Sequence, residues 1–163
     1  MKCYLIRHAD AVSLGEGGIV DDASRPLTPT GEKQCQLVGQ GLARRGIRLD
    51  VLLTSPLLRA RETAAAVARH LPAPAPEVRD CPQLAPGGKR RKLARELETA
   101  GKEAVGLVGH QPDLGEFAAW LIGSKKAQID LAKASVACID FEEAIGKGDG
   151  KLLWIVTPEW LER

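Results

Sequence analysis

The sequence predicts an α/β fold in which helices cover both faces of a mostly parallel sheet. Three short apolar segments that favour strands alternate with segments of helical periodicity, which is typical of parallel βαβ units. The last two strand-like segments are separated by a glycine-rich stretch, which predicts a hairpin and an antiparallel C-terminal edge. The length of 163 residues fits a single domain, residues 1–163.

The first half of the chain contains two predicted strands and two predicted helices. Residues 3–6 and 51–54 are short apolar runs that predict buried strands. One helix is expected to begin at Thr28-Pro29. A second is expected after Ser55-Pro56, with the serine as its cap and the proline at its first position. The glycine- and aspartate-rich stretch 14–25 predicts a loop.

The second half begins with a proline-rich connector at residues 72–76, which cannot be helical. Leucines at helical spacing then predict an amphipathic helix, and an apolar run predicts the third strand. The elements expected here are helices at 89–100 and from 111 to about 123, and strands at 104–108, 135–141 and 151–156.

Composition argues against several classes of partner. The 23 basic and 21 acidic side chains leave a net charge of +2, which gives no reason to expect nucleic acid or an anionic membrane as partner. The apolar run before Arg7 is too short for a signal peptide or a membrane span, so a cytoplasmic location is expected. Four widely spaced cysteines suggest neither a zinc site nor disulfides, and favour idle thiols in a reducing compartment: Cys3, Cys35, Cys81 and Cys138.

Three predicted strands carry basic side chains to one edge of the sheet. The first ends in Arg7-His8, the second leads to Arg59 in the first turn of its helix, and the third ends in Gly109-His110. Ligands of open α/β sheets bind at the carboxyl ends of the parallel strands, so these side chains are expected to converge. Arginine matches phosphate oxygens with a fixed fork of donors. The sequence therefore predicts a site for a phosphoryl group, here called the basic cage: Arg7, His8, Arg59 and His110.

Within the basic cage, His8 is the candidate nucleophile. Cationic neighbours disfavour imidazolium, so its pKa is expected to fall and its neutral ring to keep a lone pair that can attack phosphorus. A phosphohistidine intermediate, later hydrolysed by water, would follow. Arg7, Arg59 and His110 would stabilise the phosphoryl oxygens, so neither a metal ion nor a cofactor is expected.

Four segments in this order resemble the histidine phosphatase (phosphoglycerate mutase-like) superfamily, and most closely its short bacterial branch, the SixA-type phosphohistidine phosphatases. The resemblance extends over nearly the whole chain, and the compact length agrees with it. The segments are LIRHADA at 5–11, RPLTPTG at 25–31, SPLLRARETA at 55–64 and VGHQP at 108–112.

This resemblance implies a three-layer αβα sandwich of the phosphoglycerate mutase-like fold. It also implies that His8 is the nucleophile and that Arg7, Arg59 and His110 form the phosphate pocket. Ala9 stands where the superfamily signature usually has Gly. A methyl group is tolerated there if the backbone is not left-handed.

Gln111 follows His110 at a position where larger relatives often carry an acidic residue, and a glutamine cannot donate a proton as an acid. A general acid contributes about 10²–10⁴-fold, which matters most for an alkoxide leaving group. Imidazole leaves more readily once protonated. The expected substrate is therefore phosphohistidine in a protein, such as a phosphotransfer domain. The weaker candidates for an acid are interpreted as loop and turn carboxylates: Asp10, Asp21 and Asp22.

Two other functions stay open at this point. The same cage would serve a phosphatase of small phosphate esters or pyrophosphates, or a phosphohistidine-binding module without turnover. The basic run 89–92 is interpreted as a solvated helix end. The functional alternative is a docking patch for an acidic protein substrate. A monomer is favoured.

Overall fold

A computed structural model describes residues 1–162 and contains one six-stranded sheet. The strands are β1 (Lys2–Arg7), β2 (Val51–Thr54), β3 (Glu77–Asp80), β4 (Ala104–Gly109), β5 (Val136–Phe141) and β6 (Gly150–Val156). Their order across the sheet is β3-β2-β4-β1-β5-β6. Neighbours from β3 to β1 are parallel, whereas β5 runs antiparallel to β1 and pairs with β6 as a hairpin. The mostly parallel sheet with an antiparallel C-terminal edge is confirmed.

Helices cover both faces of this sheet and complete the predicted αβα sandwich. They are α1 (Pro29–Arg44), α2 (Leu58–Arg69), α3 (Arg90–Ala100), α4 (Asp113–Leu121) and α5 (Pro158–Glu162). On one face α1, α2 and α5 bury Val38, Val67 and Leu161 in a common hydrophobic cluster. On the other face α3 and α4 bury Leu97 and Phe117 in a second cluster. Side chains of the buried strands point alternately into the two clusters. Both faces of the central strands are therefore shielded from solvent.

Local chemistry explains where α1 begins. The Thr28 hydroxyl accepts a hydrogen bond from the Gly31 amide at 3.1 Å, and Pro29 occupies the first helical position. No residue with a side chain fits at position 31, because a Cβ there would lie 2.1 Å from the Asp10 carbonyl oxygen. The start of α1 is thereby packed directly on the segment that follows β1.

The start predicted for α2 is wrong. The helix begins at Leu58 after Leu57, so Pro56 is not its first residue and Ser55 is not its cap. The Ser55 hydroxyl instead accepts from the Leu57 amide at 3.3 Å and bonds His110. Arg59 still lies in the first turn, as predicted.

Two short elements at the edges of the fold were not predicted. All four residues of the edge strand β3 are exposed, so its sequence lacks the apolar pattern that marks a strand. The helix α5 has only five residues, too few to display a helical period. The predicted loop 14–25 is largely irregular, with two single 3₁₀ turns at Glu16–Gly18 and Asp22–Ser24.

Candidate active site

The end of β1 places His8 in the interior with its two ring nitrogens in different roles. The His8 amide donates to the Gly109 carbonyl at 2.9 Å, which holds the ends of β1 and β4 together. Its Nδ1 atom lies 2.8 Å from the carbonyl oxygen of Ala9. Because a carbonyl oxygen only accepts, Nδ1 carries the ring proton, and a neutral ring then keeps its lone pair on Nε2.

Arg59 faces that lone pair. Its Nε atom donates to Nε2 of His8 at 3.3 Å, and the arginine is buried. The position of Arg59 is set by Thr63, one turn further along α2. The Thr63 hydroxyl donates to the Arg59 carbonyl at 2.6 Å and accepts from the Ala9 amide at 3.0 Å. This fully buried hydroxyl therefore ties the arginine's helix to the chain beside the histidine.

His110, at the end of β4, lies against His8, with 5.1 Å between the ring centroids. Its Nε2 atom is 2.8 Å from the Ser55 hydroxyl, at the end of β2. Its Nδ1 atom is buried and has no hydrogen-bond partner among residues 1–162. One ring nitrogen is thus held by a fixed hydroxyl, and the other is available to a ligand.

Arg7 completes the group predicted from the strand ends. Its Nη1 atom donates to the Leu131 carbonyl at 2.7 Å, while its buried Nε has no partner in the described part of the chain. Its charge lowers the pKa of both His8 and His110, which places it in the same electrostatic environment. All four members of the basic cage therefore lie together at the carboxyl ends of β1, β2 and β4.

Both histidines of the cage have depressed pKa values. Burial is the largest cause at His8, and the nearby arginine charges add to it, so that its pKa falls from 6.5 to about 4. Burial likewise lowers the pKa of His110 to about 3, with further contributions from His8 and Arg59. The predicted direction is confirmed, although desolvation outweighs the charge effect on which the prediction depended. Both rings are neutral at physiological pH.

Asp22 lies closer to the cage than its interpretation as a loop residue suggested. Its carboxylate lies 3.1 Å from Nη2 of Arg59, and its carbonyl oxygen accepts from Nη1 of Arg59 at 2.7 Å. It also pairs with Arg25 at 2.9 Å. A hydrogen bond from Arg25, followed by the charge of Arg59, lowers the pKa of Asp22. Asp22 is therefore ionised, a counterion for the cage rather than a proton donor.

The two remaining candidate acids have structural roles. Asp10 accepts hydrogen bonds from Lys133 and from the Thr28 hydroxyl, both at 2.5 Å, and these contacts lower its pKa. Asp21 accepts from the Ala23 amide at 3.3 Å and from the Ser24 hydroxyl at 2.7 Å. These contacts agree with their interpretation as loop and turn carboxylates.

The structure also accounts for the two departures from the superfamily signature. Ala9 is fully buried and is not among the residues with positive φ, so its methyl group causes no backbone strain. The Gln111 side chain donates to the Ile129 carbonyl at 2.7 Å and accepts from the Gly115 amide at 3.1 Å. Gln111 therefore fastens the segment around residue 129 to the start of α4.

Within residues 1–162, no three His, Cys, Asp or Glu side chains are grouped so that they could hold a metal ion. None of the helices described is long and apolar enough to cross a membrane.

Comparison with known proteins identifies the family of this chain. The family model for the histidine phosphatase superfamily (branch 1) matches residues 3–85, a range that includes Arg7, His8 and Arg59. An uncharacterized protein of Picosynechococcus is 36% identical over 99% of both chains. The phosphohistidine phosphatase SixA of Escherichia coli is 26% identical over 97% of this chain and 94% of its own.

A solved structure of the protein histidine phosphatase SixA with tungstate superposes with a TM-score of 0.85. It is 26% identical and covers 99% of each chain, which includes His110 and the C-terminal hairpin. The family model matches the first half of the chain, and the full-length relatives and the superposed fold extend the agreement over nearly all of it. The chain belongs to the histidine phosphatase superfamily and is a phosphatase of its SixA type.

Proposed function

We propose that this phosphatase hydrolyses phosphohistidine in a protein substrate, without a metal ion, through a phosphorylated His8. In the first step Nε2 of His8 attacks phosphorus, its bond to phosphorus forms, and the bond from phosphorus to the substrate's imidazole nitrogen breaks. The substrate ring, protonated from solvent at its other nitrogen before this bond breaks, leaves as neutral imidazole. Water then attacks the phosphorus on His8, loses a proton, and releases inorganic phosphate and neutral His8.

The observation that carries this proposal is the arrangement of the His8 ring. Nδ1 is occupied at the Ala9 carbonyl and Nε2 accepts from Arg59, so the only lone pair lies toward the arginine. A group that binds the arginine is therefore presented to the nucleophile. Burial keeps the ring neutral, so attack requires no prior loss of a proton.

The other cage residues have donors to offer to a phosphoryl group. Arg7 has a buried Nε without a partner, and His110 has a buried Nδ1 without one, which carries the ring proton when the Ser55 hydroxyl donates to Nε2. Buried polar groups normally find hydrogen-bond partners, and phosphoryl oxygens would supply them here. Donors placed where charge develops lower the barrier to transfer. The SixA relative forms a complex with tungstate, itself a tetrahedral oxyanion, which is consistent with a phosphoryl ligand in this family.

Phosphohistidine is the proposed substrate because no residue described near the cage is suited to act as a general acid. Asp22 is ionised and paired with Arg59, and Gln111 is bonded to backbone groups. Neither is suited to protonate an alkoxide, whereas a protonated imidazole needs no such help to leave. The name of the SixA relative supports the same substrate class.

We place this activity in the reducing cytoplasm. All four cysteines are free and buried. Burial raises the pKa of the Cys35 thiol to about 12, and raises the pKa of the other three as well. Such thiols stay protonated and unreactive, so they are packing residues that need no oxidising compartment.

A trapping experiment tests the proposal directly. The protein is mixed with a ³²P-labelled phosphohistidine phosphotransfer domain, quenched, and analysed for alkali-stable label on His8. His8→Ala should carry no label and should lose activity, whereas His70→Ala, at the end of α2, should behave as the unchanged protein. Full activity of His8→Ala, together with no label on His8, would show that the mechanism is wrong.

The same material separates the two alternatives. Efficient hydrolysis of alkyl phosphate esters or pyrophosphates, with little release from the phosphotransfer domain, would assign the cage to small substrates. Saturable binding of the phosphorylated domain without release of phosphate would indicate a binding module.

A further inference from the structure

Next to the cage lies an open basic groove of about 690 Å³, formed by the N-terminal half of α3 and by α4. Trp120 of α4 is one of its walls. The groove contains five cationic side chains, all exposed, which are those of Lys89, Arg90, Arg91, Lys92 and Arg95.

Most of these cations are unneutralised. Two carboxylates line the groove, but Asp113 accepts from the Gly87 amide at 2.8 Å, and Glu116 lies 3.7 Å from Arg90. The other four cations form no ion pair within residues 1–162: Lys89, Arg91, Lys92 and Arg95.

This distribution of charge works against the stability of α3. The first turn of the helix contains no acidic residue, and Lys89 at its N-cap forms no side-chain cap. Cations at the positive end of a helix are unfavourable, as are like charges at positions i and i+4 such as Arg91 and Arg95. Residues that break a local rule without local compensation are expected where a partner supplies the compensation.

The groove borders a cleft that reaches one member of the cage, His110. Gly88, Arg90 and Asp113 line both the basic groove and a narrow cleft that has His110 in its wall. A protein bound with its phosphorylated residue at His110 would therefore bring its neighbouring surface close to the groove.

We propose that the basic groove docks an acidic surface of the phosphohistidine protein, next to the phosphorylated residue. This inference rests on the proposed function. It restricts the substrates to phosphoproteins that carry acidic residues near the phosphohistidine. The cations from residue 89 to residue 95 extend over roughly 9 Å of helix, at about 1.5 Å per residue. That spacing suits several carboxylates on a protein surface better than one small phosphate.

The test compares substrates that differ only in charge around the phosphohistidine. Two synthetic phosphohistidine peptides of equal length are used, one flanked by four glutamates and the other by four glutamines, together with an aryl phosphate. The groove variant is Arg91→Gln/Lys92→Gln/Arg95→Gln. Arg90 is left unchanged because it also lines the cleft beside His110. The matched control removes three exposed cations elsewhere, Lys2→Gln/Lys33→Gln/Lys102→Gln.

We expect the groove variant to raise KM for the glutamate peptide about tenfold, because three exposed ion pairs of modest strength are lost together. Its kinetics on the glutamine peptide and on the aryl phosphate should stay within twofold of the unchanged protein, and the control should match that protein on all three. Equal KM values for the two peptides in every protein would overturn the proposal. So would an equal loss on all three substrates, because the cations would then act through the fold.

Titration of the protein with the unphosphorylated glutamate peptide measures binding without phosphoryl transfer. It therefore tests docking separately from the phosphatase chemistry. Binding that the groove variant loses supports docking, even if no phosphohistidine peptide is hydrolysed and the proposed function fails. No binding to the unchanged protein overturns docking, whatever the turnover. Inhibition by tripolyphosphate that only the groove variant loses, with unchanged peptide kinetics, would assign the groove to a small polyanion and also overturn it.

Discussion

The Nε atom of Arg59 lies 3.3 Å from Nε2 of His8, and this contact joins the charge of the cage to the proposed nucleophile. The arginine can donate there only while the histidine ring is neutral at Nε2. The same guanidinium binds Asp22 through its two other nitrogens. All three nitrogens are therefore engaged, and a phosphoryl group must replace at least some of these contacts when it enters.

Replacing Arg59 by lysine tests whether the fork, rather than the charge alone, is needed. Lysine retains the cation but cannot donate in a fixed plane to His8 and to a phosphoryl oxygen together. We expect Arg59→Lys to lower kcat/KM by about 10²-fold, the loss typical of one oxyanion donor. Steady-state kinetics on a phosphohistidine peptide measures it.

Arg61→Lys is the matched control, because Arg61 lies on the same helix and pairs at the surface with Asp80, 2.7 Å away. Its kcat/KM should stay within twofold of the unchanged protein. Equal kinetics of Arg59→Lys and Arg61→Lys would contradict the role given to the fork.

In the proposed mechanism Asp22 competes with the phosphoryl group for Arg59, and Asp22→Asn should free Nη2 of the arginine from its ion pair while the carbonyl of residue 22 still accepts from Nη1. An amide keeps the size of the side chain but removes the negative charge from a pair 3.1 Å apart. We expect vanadate, an oxyanion inhibitor, to bind severalfold more tightly to this variant. Asp21→Asn, one residue earlier and without contact to Arg59, should leave the inhibition constant unchanged. Weaker inhibition of Asp22→Asn would instead mean that Asp22 organises the phosphate site.

The contrast between Arg59 and Asp22 indicates what sequence alone could predict. Arg59 was found because strand ends and helix starts follow from local apolar patterns, and parallel topology brings them to one edge. The partner of Arg59 was not found, because Asp22 lies 37 positions away in an irregular loop. Thr63 was missed for the same reason, since its bond to the Ala9 amide crosses 54 positions. Side-chain contacts of this range leave no periodic trace in a sequence.

The depressed histidine pKa values predict that the protein loses stability as pH falls below 6.5. Between pH 6.5 and about 4, the unfolded chain binds protons at His8 that the folded protein does not, so the free energy of unfolding rises with pH in this window. The same holds for His110 down to about pH 3. Each histidine should then cost about 2 kcal/mol between pH 7.5 and pH 5, at about 1.36 kcal/mol per pKa unit.

Urea unfolding at pH 7.5 and pH 5 measures this loss. In His110→Asn the difference between the two pH values should shrink by about 2 kcal/mol, because the titrating group is gone. Gln36→Asn, an exposed substitution on α1 that removes no titrating group, should keep the difference of the unchanged protein. An undiminished difference in His110→Asn would show that other groups cause the acid sensitivity.

Thr63→Val should weaken both the fold and the site. The substitution keeps the shape of this fully buried side chain but leaves the Ala9 amide without its acceptor. An unsatisfied buried group costs about 1–3 kcal/mol, which should appear as a lower urea midpoint with an unchanged m value. The substitution should also lower kcat, because the hydroxyl joins the helix of Arg59 to the chain beside His8. Thr63→Ser restores the hydroxyl and should recover most of this kcat, which a purely packing role would not explain.

Gln111→Glu asks whether an acid at this position would widen the range of substrates. The side chain at 111 is held between the Ile129 carbonyl and the Gly115 amide. A carboxylate could still accept from the amide, but it would face the Ile129 carbonyl oxygen without a proton to donate. We therefore expect Gln111→Glu to lower the free energy of unfolding by about 1–3 kcal/mol, with no gain in kcat/KM on an alkyl phosphate. The unfolding loss should diminish at pH 4, where the glutamic acid protonates and can again donate to the carbonyl. Faster hydrolysis of alkyl phosphates would show that a carboxyl at 111 reaches the cage, and that the glutamine itself restricts this phosphatase to better leaving groups.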